Sequence, residues 1–168
     1  MKKYLLIILF AIPFLHIQAQ SKVGTIDAEY ILSQMPEIAG VDESLKSYNT
    51  ELQTELQKTA KTYEELIADY QATNTTLTPE DKVAKENAII SIENDIQSFR
   101  QKASVLIQLR QNELTKPLYE KIDVAMKQVI AELKYTQIIN ASANSLAYAD
   151  PAYDITDAVL KKMGITVP

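Results

Sequence analysis

Between Val41 and Tyr70 an apolar residue returns every three or four positions: Val41, Leu45, Tyr48, Leu52, Leu56, Ala60, Tyr63, Ile67 and Tyr70. Their steps of 4, 3, 4, 4, 4, 3, 4 and 3 hold one narrow seam on one side of a helix, as in a coiled coil. The additional four-residue step at Leu52 and Leu56 is a stutter, which locally relaxes a left-handed supercoil. No breaker interrupts the stretch from Glu37 to Thr73, and Gly40 is its one weak point.

The polar run Asn74-Thr75-Thr76-Leu77 ends this helix, and Thr78-Pro79-Glu80-Asp81 starts the next. Thr78 suits the N-cap, Pro79 the first helical position, and the two acids the positive end of the helix dipole. The second helix repeats the seam at Ile89, Ile92, Ile96, Phe99, Ala103 and Leu106, then runs on through Leu114, Leu118, Ile122, Ala125, Val129 and Leu133. Pro117 is expected to kink it without ending it, because the pattern persists on both sides. Two long helices joined by so short a turn fold back as an antiparallel hairpin, and a seam this narrow leaves the tip less stable than the base.

The period changes at both ends of the chain. Lys22 to Ile26 reads as a short strand, followed by Asp27 as an N-cap and a short helix from Ala28 to Met35 that Pro36 stops. Tyr135 to Asn140 is rich in β-formers, Leu146-Ala147-Tyr148 reads as a further strand after the Ala141–Ser145 turn, and Asp154-Ile155-Thr156-Asp157 resembles a capping box opening a helix from Ile155 to Met163, with Gly164 closing it. The expected fold class is therefore α+β and predominantly α. Residues 20–36 and 135–168 form a small body from both chain ends, and residues 37–134 form a coiled-coil hairpin arm inserted between them. Small sheets are marginal alone, so the body is expected to associate with other copies.

Composition then settles the compartment and removes most chemistry. Met1-Lys2-Lys3, an uncharged run from Tyr4 to Ile17 and a polar continuation make the layout of a secretory signal peptide, with residues 1–19 expected to be cleaved. At about 14 residues the run is shorter than the roughly 20 that span a bilayer, and no Cys follows it to carry a lipid. Losing Lys2 and Lys3 takes the formal charge from −5 to −7. So acidic a chain offers no basic footprint for nucleic acid, and contact with a membrane surface is not indicated. The chain has no Cys, and its one His, His16, lies in the leader. The exported chain thus has no His or Cys to act as nucleophile, base or soft metal ligand. Its three glycines stand far apart, so no phosphate loop exists. Glu64-Glu65 beside Lys61 reads as a solvated face and Asp154/Asp157 as capping. No catalytic residue, cofactor or metal site is expected, and the chain is read as a non-enzyme.

Tyr63, Tyr70 and Phe99 fall on the seam, where hairpin packing is their plainest role. Contact with other chains is the sharper one, because aromatic side chains offer adaptable apolar surface that tolerates water. Leu66, Ile107 and Leu109 lie off the main seam and are the candidates for a second stripe facing a bound chain.

The opening KVGTIDAEYILSQMPE and the closing YTQIINASANSLAYADPAYDITDAVLKKMGI, on either side of the hairpin, resemble the Skp/OmpH-type periplasmic chaperones. The resemblance spans Lys22 to about Ile165. It implies a jellyfish-like homotrimer whose bodies associate and whose arms enclose a cavity, where unfolded outer-membrane proteins are held without ATP. By position, Val23, Ile26, Ile138, Ile139, Leu146 and Tyr148 match the family's body strands and trimer contacts. Well-known members carry strongly basic arms. Here acids interleave with Lys58, Lys61, Lys85, Arg100, Lys102 and Arg110, so long-range steering of acidic clients is expected to be weaker and apolar contact more important. The competing reading is a structural coiled coil of the envelope that holds no client.

Overall fold

A computed structural model describes residues 21–141 and 146–166. The expected leader and positions 142–145 of the turn after Asn140 lie outside the described residues. The elements run β1 (Val23–Ile26), α1 (Ala28–Gln34), α2 (Ile38–Thr73), α3 (Pro79–Leu133), β2 (Gln137–Asn140), one turn of 3-10 helix (Pro151–Tyr153) and α4 (Thr156–Lys162).

The two long helices have the anticipated ends. Thr78 accepts from the Asp81 N–H at 3.2 Å and its hydroxyl donates to the Asp81 carboxylate at 2.7 Å, with Pro79 at the first position. α2 has 36 residues and α3 has 55, or about 54 and 82 Å at ~1.5 Å per residue. Helix α3 passes through Pro117 unbroken and ends on Lys134, which takes the left-handed conformation at φ 57°.

β1 and β2 pair in parallel, Val23 opposite Gln137 through Ile26 opposite Asn140. Parallel neighbours need a crossover, and here the crossover is the whole arm. The other edge of β1 is taken by the C-terminal segment: the Ile155 N–H donates to Thr25 O at 2.9 Å, and Asp154 bridges Thr25. The strand expected at Leu146–Tyr148 is not formed; the chain there is irregular. A strand is defined by its partner, and the edge of β1 not used by β2 is already occupied.

The body core lies where α1, α4 and the base of α3 meet. Ile31, Ile155, Val159 and Leu160 are almost wholly buried, against Leu118, Ile122, Ala125 and Val129 of α3. Thus α3 serves both parts of the molecule: it runs beside α2 from its start to about Lys121, and its last turns are the central helix of the body. α4 closes with a Schellman turn. Gly164, at φ 74°, donates to Lys161 O and Ile165 N–H to Leu160 O, while Ile165 packs on the core.

Asp154 opens α4 differently from the expected capping box: its carboxylate accepts from both the Thr156 N–H at 2.8 Å and the Thr156 hydroxyl at 2.5 Å. Asp157 plays no reciprocal part among the described hydrogen bonds. The buried Thr156 hydroxyl also accepts from the Asp27 N–H at 2.9 Å, tying the two chain ends together. Thr156→Val keeps the shape but leaves that N–H without its partner. It is expected to cost about 2 kcal/mol, read as a lower urea midpoint, while Thr156→Ser stays close to the parent.

Candidate functional site: the helical arm and the body groove

Among the described residues, side-chain hydrogen bonds join α2 and its N-cap Glu37 to α3 at both ends of the arm. Lys121 donates to Glu37 at 2.8 Å where the arm leaves the body, and nearer the tip Lys85 pairs with Asp69 and the Tyr70 hydroxyl donates to Glu86. Lys85 also donates to the Thr73 hydroxyl at 3.1 Å. Going 32 residues along α2, from 37 to 69, brings the partner back 36 along α3, from 121 to 85. The hairpin is therefore antiparallel with a nearly constant register. Lys121 holds the Glu37 carboxyl below its ordinary range by hydrogen bonding to it. The Tyr70 phenol is pushed up, chiefly because its proton is held in the bond to Glu86.

Within this register the seam is thin. Leu52 and Ile96 are buried, while Tyr48, Leu56, Tyr63, Tyr70, Ile92 and Phe99 are half-buried. One expectation needs correcting. Ile107, not Leu106, continues the seam of α3: Ile107 is half-buried against the hairpin, whereas Leu106 is exposed. The cause lies on α2. Its four-residue steps at Leu52, Leu56 and Ala60 stand opposite the Phe99–Ala103 turn of α3, and a matching four-residue step from Ala103 to Ile107 keeps the two seams in contact.

Of the other client-contact candidates, Leu66 is half-buried beside Ile67, and Leu109 is 59% exposed. Tyr63, Tyr70 and Phe99 lie in the seam, partly covered. Among the described residues, the large apolar residues left exposed on the arm are all on α3: Val83, Ile90, Val105, Leu106 and Leu109 along the hairpin, and Tyr119, Val124 and Leu133 near the body. Val83, Ile90 and Val105 do not follow from the seam pattern, because they lie on the opposite side of the helix, where their neighbours along the face are Asn87, Asn94, Gln101 and Gln108. Counting charges along each face would have found them.

In the body, Val23 and Ile26 lie on β1 and Ile138 and Ile139 on β2, whereas Leu146 and Tyr148 lie in no strand. Ile26 is buried, Ile138 and Ile139 are half-buried, and Tyr148 is 81% exposed. Ile26, Ile122, Met126, Ile130 and Ile138 line an open apolar groove of about 400 Å3 with Tyr119 at its rim. Burial, and secondarily the charge of Glu29, push the Tyr119 phenol up. Lys22 sits 4.1 Å from the centre of the Tyr135 ring and donates to Leu133 O at 2.9 Å, covering the end of α3. Among the described residues no group of acids is arranged to hold a metal ion, and no helix is long and apolar enough to cross a membrane.

A long antiparallel helical hairpin standing on a small α+β body built from both chain ends defines the class of protein. The chain belongs to the family described as outer membrane protein (OmpH-like), which matches residues 22–163. It is 29% identical over 146 residues to the chaperone protein Skp of Yersinia enterocolitica, covering 85% of this chain and 86% of that protein. Its fold is similar to that of an OmpH-like protein of Caulobacter crescentus, with a TM-score of 0.63, 20% identity and 89% of each chain covered.

Proposed function

We propose that this chain is an ATP-independent periplasmic holdase, exported by a cleaved leader, that acts as a homotrimer and holds unfolded outer-membrane proteins between its arms. The observation that carries this reading is the arm itself. A hairpin tens of ångströms long, with a thin seam and apolar residues exposed on α3, buries little for its length and leaves surface for another chain. A hairpin made only for spacing gains nothing from exposed Val83, Ile90 and Leu109. Family membership and the likeness to a chaperone protein support the same reading. In the body, the groove over Ile26, Met126 and Ile138 beside an unfinished two-stranded sheet is where neighbouring copies would complete the structure, with Tyr148 within their reach.

The test is light scattering when a urea-unfolded outer-membrane β-barrel protein is diluted into buffer, with no nucleotide and with an unrelated acidic coiled coil as control. Scattering is expected to fall in proportion to added protein and to saturate near three chains per client. Aggregation as fast as with the control would remove the holdase reading and leave the structural one.

A further inference from the structure

The back of α3, turned away from α2, carries no charge for nearly thirty residues. Val83, Asn87, Ile90, Asn94, Gln97 and Gln101 follow one another at steps of 4, 3, 4, 3 and 4. A four-residue step to Val105, in phase with the shift of the seam at Ile107, carries the stripe on through Gln108 and Asn112. All nine residues are exposed. Ser91, Ser98 and Leu109, which flank the stripe, are uncharged too. The amide side chains of the stripe make no hydrogen bond among the described residues.

The outward face of α2 does carry charges, on either side of a shorter uncharged stretch at Ser47, Thr50, Thr54 and Gln57. Glu43, Lys46, Lys58, Lys61 and Glu65 are exposed on it, and Lys61 pairs with Glu65 at 3.7 Å. The arm therefore has one charged side and one charge-free side, in a chain of which 23% is charged. Helix formation does not require this, since Glu and Lys are as good helix formers as Gln and better than Asn. Solubility argues against it, since exposed surface is ordinarily kept charged.

The chemistry of the stripe selects its occupant. Each amide offers both donors and an acceptor, which suits the unpaired N–H and C=O groups of an extended backbone. Val83, Ile90, Val105 and Leu109 add separated apolar contacts. No carboxylate or ammonium has to be stripped of water when a chain lies down on this face, a step that is costly for a charged group. The apolar positions are too sparse for knobs-into-holes packing with a second helix, and the face lacks the apolar breadth and cationic border of a membrane-surface helix.

We infer that the charge-free back of α3 is the surface on which the arm holds unfolded polypeptide of low charge, through its apolar side chains and unpaired backbone. This rests on the holdase reading above and assigns its contact face. It makes the seam aromatics Tyr63, Tyr70 and Phe99 hairpin-packing residues rather than contacts, and it turns α3 toward the held chain and the charged face of α2 toward water.

The test compares two variants of the full exported chain. One carries Asn94→Asp, Gln97→Glu, Gln101→Glu and Gln108→Glu on α3. The other carries Thr50→Glu, Thr54→Glu, Gln57→Glu and Ala68→Glu on α2, so both add the same charge. Affinity for a labelled, urea-unfolded β-barrel protein is read by anisotropy, with helix content by circular dichroism and mass by sedimentation. The α3 variant is expected to bind at least tenfold more weakly at unchanged helix content and mass, and the α2 variant within twofold of the parent. Equal weakening in both variants, or none in the α3 variant, overturns the inference while leaving the holdase reading in place. A loss of assembly mass confined to the α3 variant overturns it as well, marking the face as an interface between copies. If the parent chain itself does not bind, the holdase reading falls and this inference falls with it.

Discussion

Replacing Gly24 by Ala is expected to destabilise the body by about 3 kcal/mol, at the upper end of what overpacking a fitted core usually costs. A Cβ there would stand 2.7 Å from Cε1 of Tyr135, 2.9 Å from the Tyr153 carbonyl oxygen and 3.0 Å from Cδ1 of Ile138. Two of these neighbours are side chains in confined positions. Tyr135 is buried under Lys22, and Ile138 faces Gly24 across the β1–β2 pair. The third is backbone and yields only by moving the turn at Pro151–Tyr153. Relief by Tyr135→Leu should recover part of the loss but not all, because the Tyr153 carbonyl remains. Urea unfolding followed at the base of the arm would check this, and a Gly24→Ala protein as stable as the parent would show that the three elements do not converge so closely. Gly40→Ala is the control: nothing lies within 4 Å of a Cβ at that helical site.

Ile31→Ala is expected to cost about 3–4 kcal/mol, within the range for emptying a fully buried Ile site. Ile31 is at 0% exposure and belongs to a helix of only seven residues. α1 has too few residues to be stable by its own hydrogen bonds, so it is held by packing on α3 and α4. Its loss opens the site that Val159 and Leu160 share with Val129. The same kind of truncation on the arm should cost far less: Tyr63→Ala removes a half-buried side chain from a seam open to water on both sides. Thermal melts of the two variants should differ accordingly. The body variant should lose its cooperative transition at much lower temperature, and the arm variant should leave the main transition nearly in place. Comparable losses would mean that arm and body unfold as one unit.

Much of this architecture was legible in the sequence because it is governed by local rules. A 3-4 spacing of apolar residues defines a helix face whatever surrounds it, so α2 and α3 were placed to within a residue or two. The same holds for their junction, since the Thr78 hydroxyl accepts the Asp81 N–H and Pro79 has no N–H to satisfy. Asp27 ahead of α1 and Gly164 after α4 were readable for the same reason. That residues 20–168 hold neither His nor Cys is read from the composition alone.

What escaped depends on partners distant in the chain. Leu106 and Ile107 are adjacent and both apolar, so the period alone could not choose between them; the four-residue steps of α2 on the other side of the hairpin made the choice. Leu146–Tyr148 has the composition of a strand, but pairing decides a strand, and Asp154 and Ile155 already hold the free edge of β1. Asp154 bonds Thr156 rather than waiting for Asp157 because Thr156 is drawn inward to meet the Asp27 N–H from the other end of the chain. Local periodicity and capping, which cost little to satisfy within a few residues, were determined by the sequence alone. Seam phase, strand pairing and the crowding around Gly24 were decided by tertiary structure, because each is set by an atom more than 40 residues away that competes for the same space or the same hydrogen bond.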